Sequence, residues 1–172
     1  MRTHIVETNI LFQWPLASRP NTEYFTAHYT GKIPAGLSLD KIDADLIDEW
    51  HKGRGWTGIG YHYVIKADAT IERGRPRWAQ GAHDEGENAR SIGICVVYDA
   101  AKGCITQDQE RVLVDLLVDL HEIYSLVPGP TTIYAHKDNE PAETPTECPG
   151  DPLYALLPSI RYQVRVEMGL HA

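Results

Sequence analysis

The sequence has 172 residues, 42% hydrophobic and 23% charged, about the size of one globular domain with its own core. Its 24 acidic and 16 basic residues give a net charge of −8, which argues against a nucleic-acid binder that works by phosphate neutralisation. No apolar run approaches the ~20 residues that span a bilayer. The weak apolar stretch at 10–16 follows Glu7, Thr8 and Asn9 and is interrupted by Gln13, so it does not read as a secretory signal. Synthesis in the cytoplasm is the expectation.

In chain order, TEYFTAHYT (22–30) reads as a strand that ends near His28, bounded by Pro20 and Gly31. Ser38 or Asp40 is placed to cap a helix with Ile42, Leu46, Ile47 and Trp50 on one face, stopping near Gly53 or Gly55. In this reading Trp50 is core, His51 faces solvent, and the acidic residues from Asp40 to Asp48 form a solvated face. Residues 60–74 read as two strands joined by a turn around 67–70. SIGICVVYD (91–99) is the near-continuous apolar run expected of a central strand covered on both faces. Thr106 and Gln109 have capping-box spacing at the head of a helix over 107–125. TTIYAH (131–136) is a strand that delivers His136 at its end, followed by a loop over 137–150. Asp151 and Pro152 open a last helix, expected to break or restart around Pro158. This order predicts an α/β fold, one mixed central sheet flanked by helices. Residues 1–21 are read as an N-terminal extension and 22–172 as a single domain.

Of three cysteines, Cys95 lies in an apolar run and is read as core; a Cys95–Cys104 bridge is the disfavoured alternative, given the odd count and no signal. Cys148 sits in a polar, proline-rich loop where burial does not explain it. Two histidines at strand ends, His28 and His136, and a cysteine twelve residues after the second make a candidate metal set. A catalytic zinc takes three protein ligands and keeps one position open, and two imidazoles with one thiolate suit it. By spacing alone this signal is weak.

The surrounding segments are more specific. AHYT (27–30), WHKGRGWTGIGYHYVI (50–65), GAH (81–83), NARSIGI (88–94), AHKD (135–138) and TECP (146–149) occur in this order. Together they resemble the type-2 N-acetylmuramoyl-L-alanine amidases, the family of phage amidase endolysins and catalytic peptidoglycan recognition proteins, over residues 22–155. The resemblance implies that fold and one Zn2+ per chain on His28, His136 and Cys148. It makes Tyr61 the tyrosine facing the scissile carbonyl. It places Thr146 where some relatives carry lysine, so that no lysine serves the oxyanion here. His83 matches a position near the substrate groove, with plain loop structure as the alternative; Trp56 either lines the cleft or packs under the sheet. His62 alternates to the opposite face from Tyr61 and is read as structural. Asn88 is read as fixing a loop through backbone hydrogen bonds. His121 and His171 have no partner that sequence can name.

The implied substrate is peptidoglycan, cut between N-acetylmuramic acid and L-alanine by a phage or prophage-type endolysin. It is expected to be monomeric, without nucleic-acid or transmembrane partners, and to act on the cell wall (periplasm) after release. Relatives that recycle muropeptides carry aspartate as third ligand, so Cys148 favours the wall-lysing kind. The alternative is a muropeptide-recognition module that does not cut, which the intact ligand set and Tyr61 disfavour.

Overall fold

The computed structural model describes residues 1–139 and 145–170. Six strands form one mixed sheet in the order β1-β4-β3-β5-β2-β6: β1 Ile5–Val6, β2 Tyr24–Tyr29, β3 Tyr63–Ile65, β4 Ile71–Arg73, β5 Ser91–Val96 and β6 Ile133–Ala135. Of these six strands among the described residues, only β3 and β4 pair antiparallel, through the expected turn, where Lys66 N–H donates to Thr70 O. The other pairings are parallel. β5 is buried throughout and lies between β3 and β2, as its apolar run predicts.

Strand alternation sorts the side chains onto two faces. Phe25, Ala27, Ile92, Ile94, Val96, Tyr63 and Ile65 pack with α2 (Gln107–Tyr124) and α4 (Asp151–Glu167) in the larger core. Val64, Cys95 and Val97 pack with Ile42, Ala44 and Ile47 around α1 (Ala44–Gly53) in a smaller one. His28 is out of phase with Phe25 and Ala27 and pairs with Cys95, so it points to the α1 face. No disulfide joins Cys95, Cys104 or Cys148, and Cys95 is core as read.

The capping box of α2 is present in both directions, Gln109 N–H to Thr106 Oγ1 and Thr106 N–H to Gln109 Oε1. Other boundaries differ from expectation. Ser38 heads only a short 3-10 turn, and the cap of α1 is Asp43, which accepts from Leu46 N–H. α4 begins after Gly150, one residue before the expected cap, and runs unbroken through Pro158. Leu153, Leu157, Ile160 and Val164 are buried on both sides of the proline, which itself faces solvent. Packing of that stripe outweighs the one hydrogen bond that proline removes. His136 opens a helical turn, α3 (His136–Asn139), where loop was expected; the rest of that loop at 140–144, like His171, lies outside the described residues.

The first 21 residues are integrated into this body. β1 adds parallel to β4, Gln13 N–H donates to Thr57 O, and Arg19 N–H donates to Trp78 O. His121 has the partners that sequence could not name: its Nδ1 meets Leu117 O at 2.7 Å and its Nε2 meets Thr132 Oγ1 at 3.0 Å. No helix among the described residues is long and apolar enough to cross a membrane.

Candidate metal centre

Register brings the two histidines together. β2 and β6 run parallel with Ala27 opposite Ala135, so the next residues, His28 and His136, stand side by side at the carboxyl edge of the sheet. Open α/β sheets bind ligands at that edge. The rings are 4.5 Å apart between centroids. Cys148 reaches them from the segment before α4, with its Sγ 3.5 Å from His28 Nδ1. That segment is tied down on both sides. Lys137 N–H donates to Cys148 O, Tyr98 OH donates to Pro149 O, and Cys148 N–H donates to Thr146 Oγ1 at 3.2 Å.

One donor atom from each of His28, His136 and Cys148 lies within 4.8 Å of the others, in the only such group of three or more found among the described residues. The donor set fits zinc: two imidazole nitrogens and one sulfur, three ligands with room for a fourth. Burial, and after it neighbouring His136, holds His28 well below the ordinary 6.5, so the ring is neutral and has a lone pair to give. His28 and Cys148 are buried, while His136 is half-exposed beside a cleft of about 440 Å³. Tyr61, His51, Arg54, Trp50, Thr146 and Glu147 also line that cleft.

Tyr61 packs with its ring 5.1 Å from that of His28. Burial raises its phenol well above 10, so it stays protonated and able to donate. Thr146 is at the cleft, with its hydroxyl engaged by the Cys148 amide. Trp56 is partly exposed and packs against His51, with the Arg54 guanidinium over its ring, rather than lining the cleft. His83 is not in the cleft wall either. It is buried behind His28, its Nδ1 3.0 Å from His28 Nε2. His62 is wholly buried just before β3, its ring 5.6 Å from that of His83; its Nε2–H donates to Ala79 O and its Nδ1 accepts from Gly93 N–H. Asn88 Oδ1 accepts from the amides of His83 and Asp84, the loop role read from sequence.

Two expectations on α1 are corrected. His51 does not face solvent: it is 5% exposed, and its Nδ1 accepts from Gly60 N–H at 2.9 Å. Asp48 does not belong to a solvated acidic face: it is buried, accepts from Ile59 N–H and pairs with Lys52. The cause is the same for both. Gly55, at φ +84°, reverses the chain after α1, and residues 56–60 fold back over the helix's last turn. Gly60 itself has to be glycine, because a Cβ there would stand 1.9 Å from Ala82 O. Trp50 is only partly buried, since the cleft opens beside it. The sequence reading missed His51 as a cleft residue; its signal was the glycine pair flanking Arg54, which marks a reversal.

These buried histidines make stability depend on pH. Burial holds His62 near 3 and His51 near 4, against an ordinary 6.5. Each is neutral in the folded chain and gains a proton on unfolding once pH falls below 6.5. Their contribution is therefore whole above that pH and is lost as pH falls toward the folded values, at about 1.4 kcal/mol per pH unit for each. Urea unfolding of metal-free protein is expected to show a clearly lower midpoint at about pH 5 than at about pH 7. An unchanged midpoint would contradict the burial of uncharged rings.

The profile of the family described as N-acetylmuramoyl-L-alanine amidase matches residues 18–151. The endolysin of Klebsiella phage KP32 is 38% identical over 126 residues, covering 68% of this chain and 81% of that protein. The endolysin of Enterobacteria phage T3 is 34% identical over 136 residues, covering 74% and 83%. Among solved structures, the N-acetylmuramoyl-L-alanine amidase LysC from Clostridium intestinale URNW superposes with a TM-score of 0.78 at 32% identity, over 98% of this chain and 99% of that one. Drosophila PGRP-LB shares the fold, with a TM-score of 0.75 at 21% identity over 91% and 93%.

Proposed function

Because this chain belongs to the N-acetylmuramoyl-L-alanine amidase family, we propose that it is a zinc-dependent endolysin-type enzyme that hydrolyses the amide between N-acetylmuramic acid and L-alanine of peptidoglycan. The observation that supports this most is the convergence of His28, His136 and Cys148 at the edge of a cleft that also holds Tyr61. His28 Nδ1, His136 and the Cys148 thiolate would hold one zinc per chain. Bound zinc supplies a Lewis acid that polarises the scissile carbonyl and makes water nucleophilic near neutral pH.

The chain's own residues do the rest. Tyr61, its phenol kept protonated by partial burial at the cleft, donates a hydrogen bond to the carbonyl oxygen as negative charge grows there. Thr146 braces the Cys148 amide and so fixes the loop that presents the thiolate. The sheet edge sets the directions of His28 and His136, leaving the cleft side of the site open to the substrate. The enzyme is read as a monomer that is made in the cytoplasm and acts on the cell wall (periplasm) after release.

The test is a digest of purified peptidoglycan followed by mass spectrometry and amine labelling. New L-alanine amino ends and free stem peptides are expected, with no new reducing sugars. A chelator is expected to stop amine release, and added zinc to restore it. Reducing ends instead of amines would point to a glycosidase and refute the reading. Muropeptide binding without either product would make the chain a recognition module.

A further inference from the structure

His83 is 7% exposed and, among the described residues, has one side-chain hydrogen bond, between its Nδ1 and His28 Nε2 at 3.0 Å. Its other ring nitrogen, Nε2, is buried with no partner among the described residues. A buried polar ring with one satisfied nitrogen is a poor choice for packing alone, since an apolar side chain would bring no unpaired nitrogen of its own. The single bond it keeps goes to the residue whose opposite nitrogen faces Cys148 at 3.5 Å.

The ring is also held so that it cannot turn away. A Cβ on Gly93 would stand 2.5 Å from its Cγ and Cδ2, and one on Gly81 would stand 2.4 Å from its Cδ2. The backbones of these two glycines therefore lie against the imidazole. The His83 amide is anchored in turn by Asn88 Oδ1 at 2.8 Å. The two glycines and Asn88 form a cradle that aims one nitrogen at His28.

An imidazole that gives its Nδ1 lone pair to a metal must carry its proton on Nε2, and that proton needs an acceptor. We propose that His83 is a positioning residue for the metal: it accepts the Nε2–H of His28 and so holds this ligand in the tautomer and orientation whose Nδ1 lone pair faces Cys148 and His136. The proposal rests on the reading of these three residues as ligands. It gives His83 a place behind the metal centre and none in the substrate groove. Partners of this kind orient a ligand, raise its basicity and tune metal affinity.

The test is zinc affinity, measured by competition with a chromogenic chelator, for the native chain, His83→Leu, His83→Gln and Cys148→Ser. His83→Leu is expected to bind zinc roughly 10–100-fold more weakly. His83→Gln, whose Oε1 can accept the same N–H, is expected to recover most of that loss; a role in packing alone would not favour glutamine over leucine. Native affinity in His83→Leu, alongside loss in Cys148→Ser, would overturn the positioning role and leave the metal centre standing. Native affinity in Cys148→Ser would instead overturn the ligand assignment beneath it. Should His83→Leu not fold, nitrogen-15 correlation spectra of the zinc-loaded native chain decide the matter. His28 is expected to be protonated on Nε2 and unprotonated on Nδ1, and the opposite pattern overturns the proposal.

Discussion

Cys148→Ser is expected to strip the chain of most of its zinc and to lower amide hydrolysis on the order of 10³-fold, the consequence of losing several kcal/mol of Lewis-acid stabilisation. A thiolate supplies both charge and a soft donor, while a serine hydroxyl is neutral at ordinary pH and a far poorer ligand. The change is nearly isosteric, and the surrounding anchors do not use the sulfur. Lys137 N–H donates to the Cys148 carbonyl and Thr146 Oγ1 accepts from its amide, and both bonds survive the substitution. The fold should therefore persist, which circular dichroism can verify, while elemental analysis after dialysis reads the metal. A variant that keeps one zinc per chain would remove Cys148 from the ligand set. A variant that loses zinc yet cuts peptidoglycan at the native rate would remove zinc from the reaction.

The sheet and the strand-end positions of His28 and His136 were largely legible because each depends on short-range pattern. The alternation around His28 and the apolar run of 91–99 announce strands and their faces, and the capping box of α2 is a four-residue signal. What sequence alone could not supply was register. That His28 stands beside His136 follows from Ala27 pairing with Ala135, a contact between residues more than a hundred apart; motif resemblance filled that gap. The misreadings share one cause, since tertiary cover overrides local polarity. Asp48 and His51 look like solvent-facing helix positions until residues 56–60 fold back and offer the amides of Ile59 and Gly60. Pro158 looks like a helix break until four buried side chains around it are counted against one missing bond. His83 reads as a groove residue because its neighbours in the chain are loop. Only in three dimensions do Gly81 and Gly93 press it against the back of His28.

Tyr61→Phe is expected to lower turnover by ~10²–10³-fold while leaving zinc content, fold and KM close to native, a loss of ~2.7–4 kcal/mol typical of one oxyanion donor. The ring stays, so its packing 5.1 Å from His28 and 5.4 Å from His51 is retained; only the hydroxyl goes. That hydroxyl matters more here than in relatives with lysine two residues before the cysteine. This chain has Thr146 there, and its oxygen is occupied by the Cys148 amide. No cation from that position can share the developing charge, which in the proposed reaction would leave zinc and Tyr61 to stabilise it. Because burial raises the phenol well above 10, the donor remains protonated throughout the working range. The residual activity of Tyr61→Phe should therefore keep the native pH profile near neutrality, shifted down as a whole. Steady-state kinetics on a soluble muropeptide separate the cases. A loss confined to kcat supports a bond made as charge develops on the oxygen, and a loss confined to KM would make Tyr61 a substrate-binding residue instead. A variant that hydrolyses at the native rate would leave the oxyanion with no donor from this position, and the role assigned to Tyr61 would be wrong.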